Sequence, residues 1–144
     1  MGNKGTFAIV PAWDNAPPKC VIFCSVCQAG VNSQKVVITG PYTGSAPTAS
    51  TPTHTFQNGS MDPRDFGKQI GKFFQVVQYQ QWQAYKFDME FTNNGGNPSS
   101  IDGEHSQPIS DKAYNLMVLS NDSGGDNDFN DLVVSLTMYK QSTD

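Results

Sequence analysis

The sequence predicts an all-β fold, an antiparallel β-sandwich of short strands, and three observations carry that expectation. Apolar and polar residues alternate with a period of two through much of the chain, and no stretch sustains a 3.6-residue pattern. Gly, Pro and Asn-Gly pairs interrupt the alternating runs at short intervals. Charged residues make up 15% and hydrophobic ones 37%, a mix poor in the Leu, Ala, Glu and Lys that helical bundles use. At 144 residues the chain can bury one substantial core. It has no internal repeat and no linker, so 1–144 reads as a single domain.

The clearest strand is Tyr85-Lys86-Phe87-Asp88-Met89-Glu90-Phe91, with four large apolar side chains on one face and three charged ones on the other. Further strands are expected at Thr6–Val10, Cys20–Ser25, Lys35–Thr39, Lys72–Gln78, Tyr114–Ser120 and Leu132–Tyr139. Turns are expected at Pro17-Pro18, Gly40-Pro41, Asn58-Gly59, Asn94-Gly95-Gly96 and Gly124-Gly125. The Thr, Ser, Ala and Pro of Pro41–Thr55 suggest an exposed, extended loop. Asp62-Pro63-Arg64-Asp65 offers a capping residue followed by proline, the start of one short helical turn.

The formal net charge of −4 argues against a nucleic-acid ligand, whose phosphates select basic patches. No apolar run approaches the ~18 residues of a membrane span. Met1–Gly5 leads straight into strand-like sequence without the apolar stretch of a signal peptide, so the chain reads as soluble, cytoplasmic or exported by a non-standard route. Cys24 and Cys27 form a C-x-x-C, but a redox pair wants a following helix and a zinc site wants a second ligand pair nearby. Cys20, Cys24 and Cys27 read instead as thiols packed in or beside a strand.

The chemistry concentrates in Asn121-Asp122-Ser123-Gly124-Gly125-Asp126-Asn127-Asp128-Phe129-Asn130-Asp131. Four of the chain's 13 acidic residues fall between Asp122 and Asp131. Two carboxylates ~5 Å apart repel by ~3 kcal/mol at an effective dielectric of ~20. A hard cation reverses the sign, and calcium takes six to eight oxygen ligands at ~2.3–2.6 Å, the atoms that Asp and Asn supply. An EF-hand does not fit. Asp126, Asp128 and Asn130 match its positions one, three and five, but Asp131 falls where glycine is required and Thr137 where a bidentate glutamate is required. A strand, Leu132-Val133-Val134-Ser135-Leu136, follows where a helix should. The expectation is therefore a calcium-binding acidic loop between two strands, directly before the last strand.

At these residues the sequence resembles the small calcium-dependent fucose- and mannose-binding soluble lectins of bacteria, whose loop carries Asp-Asn-Asp-aromatic-Asn-Asp, here Asp126 to Asp131. Gly5-Thr6-Phe7-Ala8-Ile9 with Pro11, Asn94-Gly95 with Pro98-Ser99, and Tyr114 to Ser120 extend the resemblance over most of the chain, with Pro41–Ile70 as a longer insertion. The resemblance implies two adjacent calcium ions whose coordination is completed by sugar hydroxyls. Asp122, Asp126, Asp128 and Asp131 would ligate one ion, and Asp128, Asn130 and Asp131 the second. Sugar contacts would come from Ser25, Val26, Ser123, Asp126, Asp128 and Asp131. Ser25 stands where the family has an asparagine ligand, and Val26 and Cys27 stand where small polar residues help choose the sugar. The family ends in a glycine whose carboxylate reaches the partner subunit's site. Here Asp144 is the candidate intersubunit ligand, in a homodimer or higher homo-oligomer.

The function expected on this basis is calcium-dependent recognition of fucose- or mannose-type glycans. The alternative is a β-sandwich adhesion or structural module in which calcium only locks the loop. An enzyme is not expected: the sequence shows no nucleophile–base pair, and neither Glu90 nor Glu104 has a recognisable catalytic partner.

Overall fold

The computed structural model describes residues 3–13, 18–30, 33–59, 62, 67–93, 97–98, 100–108, 113–121 and 131–140. Ten strands are assigned in it: β1 (Lys4–Ile9), β2 (Lys19–Gln28), β3 (Gln34–Tyr42), β4 (Thr53–Asn58), β5 (Lys68–Gln78), β6 (Tyr85–Asn93), β7 (Asn97–Pro98), β8 (Ser100–Pro108), β9 (Ala113–Asn121) and β10 (Leu132–Lys140). One sheet runs β1-β6-β3-β4, with β7 paired to β6, and the other runs β5-β2-β10-β9-β8. Every strand pair is antiparallel. β4 lies against β5 along one edge of the sandwich, and β1 approaches β8 and β9 along the other.

The alternation read from the sequence is the alternation of burial. Tyr85, Phe87, Met89 and Phe91 face the second sheet, and Leu132, Val134, Leu136 and Met138 face the first, all eight in one core cluster. At ~25 cal/mol per Å² of apolar surface removed from water, such facing stripes are the main force holding the sheets together. Trp13 is 3% exposed and closes one end of this core, with its ring 5.2 Å from Tyr79 and 5.8 Å from Tyr114.

All seven expected strands are present, and the structure corrects several boundaries. β2 continues three residues beyond Ser25, to Gln28, because it stays paired with β10 up to Leu132. Gly40-Pro41 is not a turn but lies inside β3, where the pairing with β6 shifts register between Thr39 and Tyr42. The Pro41–Thr55 loop is shorter than expected, since β3 runs to Tyr42 and β4 starts at Thr53. β4, β7 and β8 are additional strands. Pro17, the Asn94-Gly95-Gly96 and Gly124-Gly125 turns, and the 63–66 segment of the expected helical turn lie outside the described residues. No helix among the described residues is long and apolar enough to cross a membrane.

Candidate functional site

β2, β4 and β9 end, and β3 and β10 begin, at the same end of the sandwich. The pairings Gln28↔Leu132, Ser120↔Leu132 and Gln34↔Asn58 fix this arrangement. The chain leaves the second sheet at Asn121 and re-enters it at Asp131, and the residues between carry Asp122, Asp126 and Asp128.

Burial at this end is unlike burial elsewhere. Among the described residues, the buried polar or charged ones are Gln28, Gln34, Ser120, Asn121 and Asp131, and all five lie here. Burying a polar group is unfavourable unless it finds hydrogen bonds or an ion, so a concentration of them at one end calls for a reason.

Part of the reason is a hydrogen-bonded base where β9 ends and β10 begins. Ala29 N and Gly30 N both donate to Asp131 O, at 3.0 and 3.1 Å, and Asp131 N donates to Ser120 O at 3.2 Å. Ser120 Oγ donates to Leu132 O at 2.8 Å. Gln28 Nε2 donates to Gly30 O at 3.1 Å and to Gly59 O at 3.3 Å, tying the β2 end to the β4 end across the two sheets. Ser33 Oγ donates to Asn58 O at 2.9 Å. Both amide atoms of Gln34 are buried without a hydrogen-bonding partner in the structure, a cost of about 1–3 kcal/mol each if no water or ligand meets them.

Asp131, 6% exposed, brings one carboxylate to this end, the kind of oxygen donor that a hard cation takes. Among the described residues no three His, Cys, Asp or Glu side chains come together to hold a metal. Asp122, Ser123, Asp126, Asp128, Asn130 and Asp144 lie outside the described residues.

Two expected sugar contacts are elsewhere. Ser25 is on the outer face of the second sheet, paired with Ser135 in mid-strand, and its Oγ accepts a 2.9 Å hydrogen bond from Gln69 Nε2. Val26 is 0% exposed and part of the core cluster, so it presents no surface to a sugar. The cause is the longer β2. The strand's last side chain, paired with Leu132 at the start of β10, is Gln28. Cys27 lies on the outer face and Cys24 on the inner one, since residues three apart on a strand point to opposite faces. The C-x-x-C therefore cannot close as a disulfide or share a metal ion without breaking the strand.

Gln28, Gly30, Gln34 and Ser120 are the site residues that sequence reasoning missed. A signal for three positions was present. Gln28 ends the stripe Cys20-Ile22-Cys24-Val26, Gln34 begins the stripe continued by Val36 and Ile38, and Ser120 ends Leu116-Val118. Each is a polar residue at the terminal core position of a strand.

No family model matches the sequence, and no curated protein matches it either. Solved structures do. The C-terminal domain of a Burkholderia cenocepacia lectin superposes with a TM-score of 0.58 at 22% identity, covering 95% of this chain and 97% of that one. A Chromobacterium violaceum lectin solved with alpha-methyl-fucoside gives 0.55 at 20% identity, covering 92% and 94%. A high-affinity mannose-binding lectin of Ralstonia solanacearum gives 0.53 at 21% identity, covering 92% and 94%. The chain thus has the fold of these bacterial lectins over nearly its whole length.

Proposed function

We propose that the chain is a non-enzymatic, calcium-dependent carbohydrate-binding protein that takes fucose- or mannose-type sugars at the end of the sandwich where β9 passes to β10. The observation that carries this reading is the gathering of the buried polar residues Gln28, Gln34, Ser120, Asn121 and Asp131 at the end where β9 and β10 are joined by an acid-rich sequence. The shared fold supports it, because proteins of that fold include one solved with a fucoside and one that binds mannose.

Asp122, Asp126, Asp128, Asn130 and Asp131 would hold the metal, two calcium ions, and Ser123 would add a sugar contact. Calcium would supply positive charge and open positions for vicinal hydroxyl oxygens. The chain's own contribution is rigidity. Asp131 is held through its backbone by Ala29, Gly30 and Ser120 before any ligand arrives, so less ordering remains to be done on binding. Gln28, rather than Ser25 or Val26, would be the β2 side chain that supports the site. A homodimer in which Asp144 reaches the partner's site extends the same reading.

Thermal melts with calcium and with chelator test the metal. Calcium at a hundred times its Kd adds about 2.7 kcal/mol per independent site, and Asp128→Ala should remove most of that gain. Titration with fucose, mannose and galactose in calcium buffer tests the sugar. Identical melts with and without chelator would sink the reading. A second reading is a module in which calcium is purely structural, and the burial of Asp131 and Asn121 favours it. Calcium stabilisation with no sugar bound at any concentration would select that one.

A further inference from the structure

The opposite end of the sandwich carries features that the calcium-linked reading does not use. The segment Gln75-Val76-Val77-Gln78-Tyr79-Gln80-Gln81-Trp82-Gln83 holds five glutamines in nine residues, from β5 into the connection to β6. Gln80–Gln83 is a tight turn closed by a 3.1 Å hydrogen bond from Gln83 N to Gln80 O. Its third residue is Trp82, with φ at +66°, a position that ordinarily favours glycine or asparagine. Trp82 is also 70% exposed, so neither its backbone nor its ring is there for core packing. Backbone strain of this kind at a large side chain points to a role for that side chain.

The turn is fastened on both sides. Gln80 N donates to Tyr85 Oη at 3.0 Å, and Tyr85 Oη donates to Gln78 O at 2.6 Å. Gln83 Nε2 donates to Thr43 O at 3.5 Å. The indole therefore stands on a braced turn, not at the tip of a free loop.

Gln80 and Gln83, the first and last residues of this turn, reach a shallow depression that adjoins a second, and Trp82 itself is in the wall of neither. One, of about 290 Å³, has Gln78, Gln80, Gln83, Tyr42, Tyr79 and Tyr85 in its wall. The other, of about 300 Å³, shares Pro41, Tyr42 and Thr43 with the first and adds Thr48, Ser50, Thr51 and Gln75. Among the described residues neither wall contains a charged side chain. Amides and hydroxyls, which both donate and accept, line this surface, and the turn that contributes Gln80 and Gln83 also carries the exposed Trp82.

From this chemistry we infer a second binding site for uncharged oligosaccharides, independent of calcium, with Trp82 as a stacking platform and Gln78, Gln80 and Gln83 as hydrogen-bonding partners. A sugar ring has an apolar C–H face for the indole and hydroxyls at its rim for the amides. Among the described residues no charged side chain lines either wall; the nearest cation, Lys86 Nζ, is engaged by Gly44 O at 2.8 Å at the edge of the second depression. The site lies at the end of the sandwich away from Asp131, so the two bind separately.

The test is a glycan array probed in EDTA. Wild-type protein is expected to retain uncharged oligosaccharides there, and Asp128→Ala to retain the same ones. Trp82→Gly should weaken them by about tenfold or more. Glycine adopts the positive φ without strain, so this variant should melt no lower than wild type. Trp82→Tyr keeps an aromatic face and should bind within a few-fold of wild type. Trp13 is buried, so the oligosaccharide that the array returns should change fluorescence through Trp82. Absence of uncharged glycans in EDTA, retention of charged glycans alone, or equal binding by Trp82→Gly would each overturn the site. All three are distinct from a failure of calcium-dependent sugar binding.

Discussion

Gly30 and Asp131 are packed against each other so closely that only a residue without a side chain fits. A Cβ added at Gly30 would meet Asp131 Oδ1 well inside van der Waals contact, and Asp131 Cβ and Cγ at 3.0 Å. The Gly30 N–H meanwhile donates to Asp131 O at 3.1 Å. The missing side chain of one residue thus sets the place of the carboxylate of the other.

Gly30→Ala should therefore push the Asp131 carboxylate aside while leaving most of the core intact. If Asp131 ligates calcium, the gain in Tm on adding calcium shrinks, and calcium affinity falls by about tenfold or more, ~1.4 kcal/mol. Isothermal titration and paired melts measure both. Unchanged calcium affinity in Gly30→Ala would separate Asp131 from the metal.

A second close approach holds the β4–β5 edge together. A Cβ at Gly71 would overlap Phe56 Cδ1 and Cε1 and lie 2.6 Å from Cγ. The rigid ring has no free end to swing away, so Gly71→Ala should lower stability by ~1–3 kcal/mol through overpacking. Urea denaturation reads this directly, and pairing it with Phe56→Leu should recover part of the loss. A midpoint that does not move would mean that the ring has room the structure does not show.

The sequence made the sandwich legible wherever a strand has one dry and one wet face. The stripes of β6 and β10 could be named residue by residue for that reason. It hid β4, Thr53–Asn58, because Thr-His-Thr-Phe-Gln-Asn is an edge strand whose inward residues are only half buried. The acidic connection was legible from its carboxylates, but its foundation was not. Placing the end of β2 at Ser25 moved the supporting position off Gln28, and nothing in local propensity marks where a strand loses its last partner. Trp13 and Trp82 look alike in sequence, and in the structure exposure and the strained turn separate them.

Thiol chemistry should follow strand parity. Burial pushes the Cys20 and Cys24 thiols up to about 12, so neither supplies thiolate near neutral pH. Cys27, half exposed on the outer face, is the thiol that a maleimide can reach. Mass spectrometry of native protein treated with maleimide should show about one modification, and denatured protein should show all three cysteines labelled. Fast labelling of Cys24 in the native state, or a Cys24–Cys27 disulfide after mild oxidation, would contradict the alternation of β2.

His54 should make the fold sensitive to mild acid. Its ring stacks on Phe73 at 4.0 Å between centroids and 2° between planes, with Phe56 stacked further along at 6.1 Å. Nδ1 is buried without a hydrogen-bonding partner. Desolvation there disfavours the imidazolium and lowers the His54 pKa from 6.5. The unfolded chain then binds more protons than the folded one between the lowered value and 6.5. Stability is accordingly complete above about pH 6.5, falls as pH drops through that window, and stops falling from this source below the folded pKa. His54→Phe keeps the stack, removes the orphaned nitrogen and removes the titration. The fall in Tm between about pH 7.5 and about pH 5.5 should be smaller in His54→Phe than in wild type. Every other titratable group is common to both proteins, so the difference between them isolates His54. Equal slopes in the two proteins would place the acid sensitivity elsewhere and leave the stacked imidazole as packing alone.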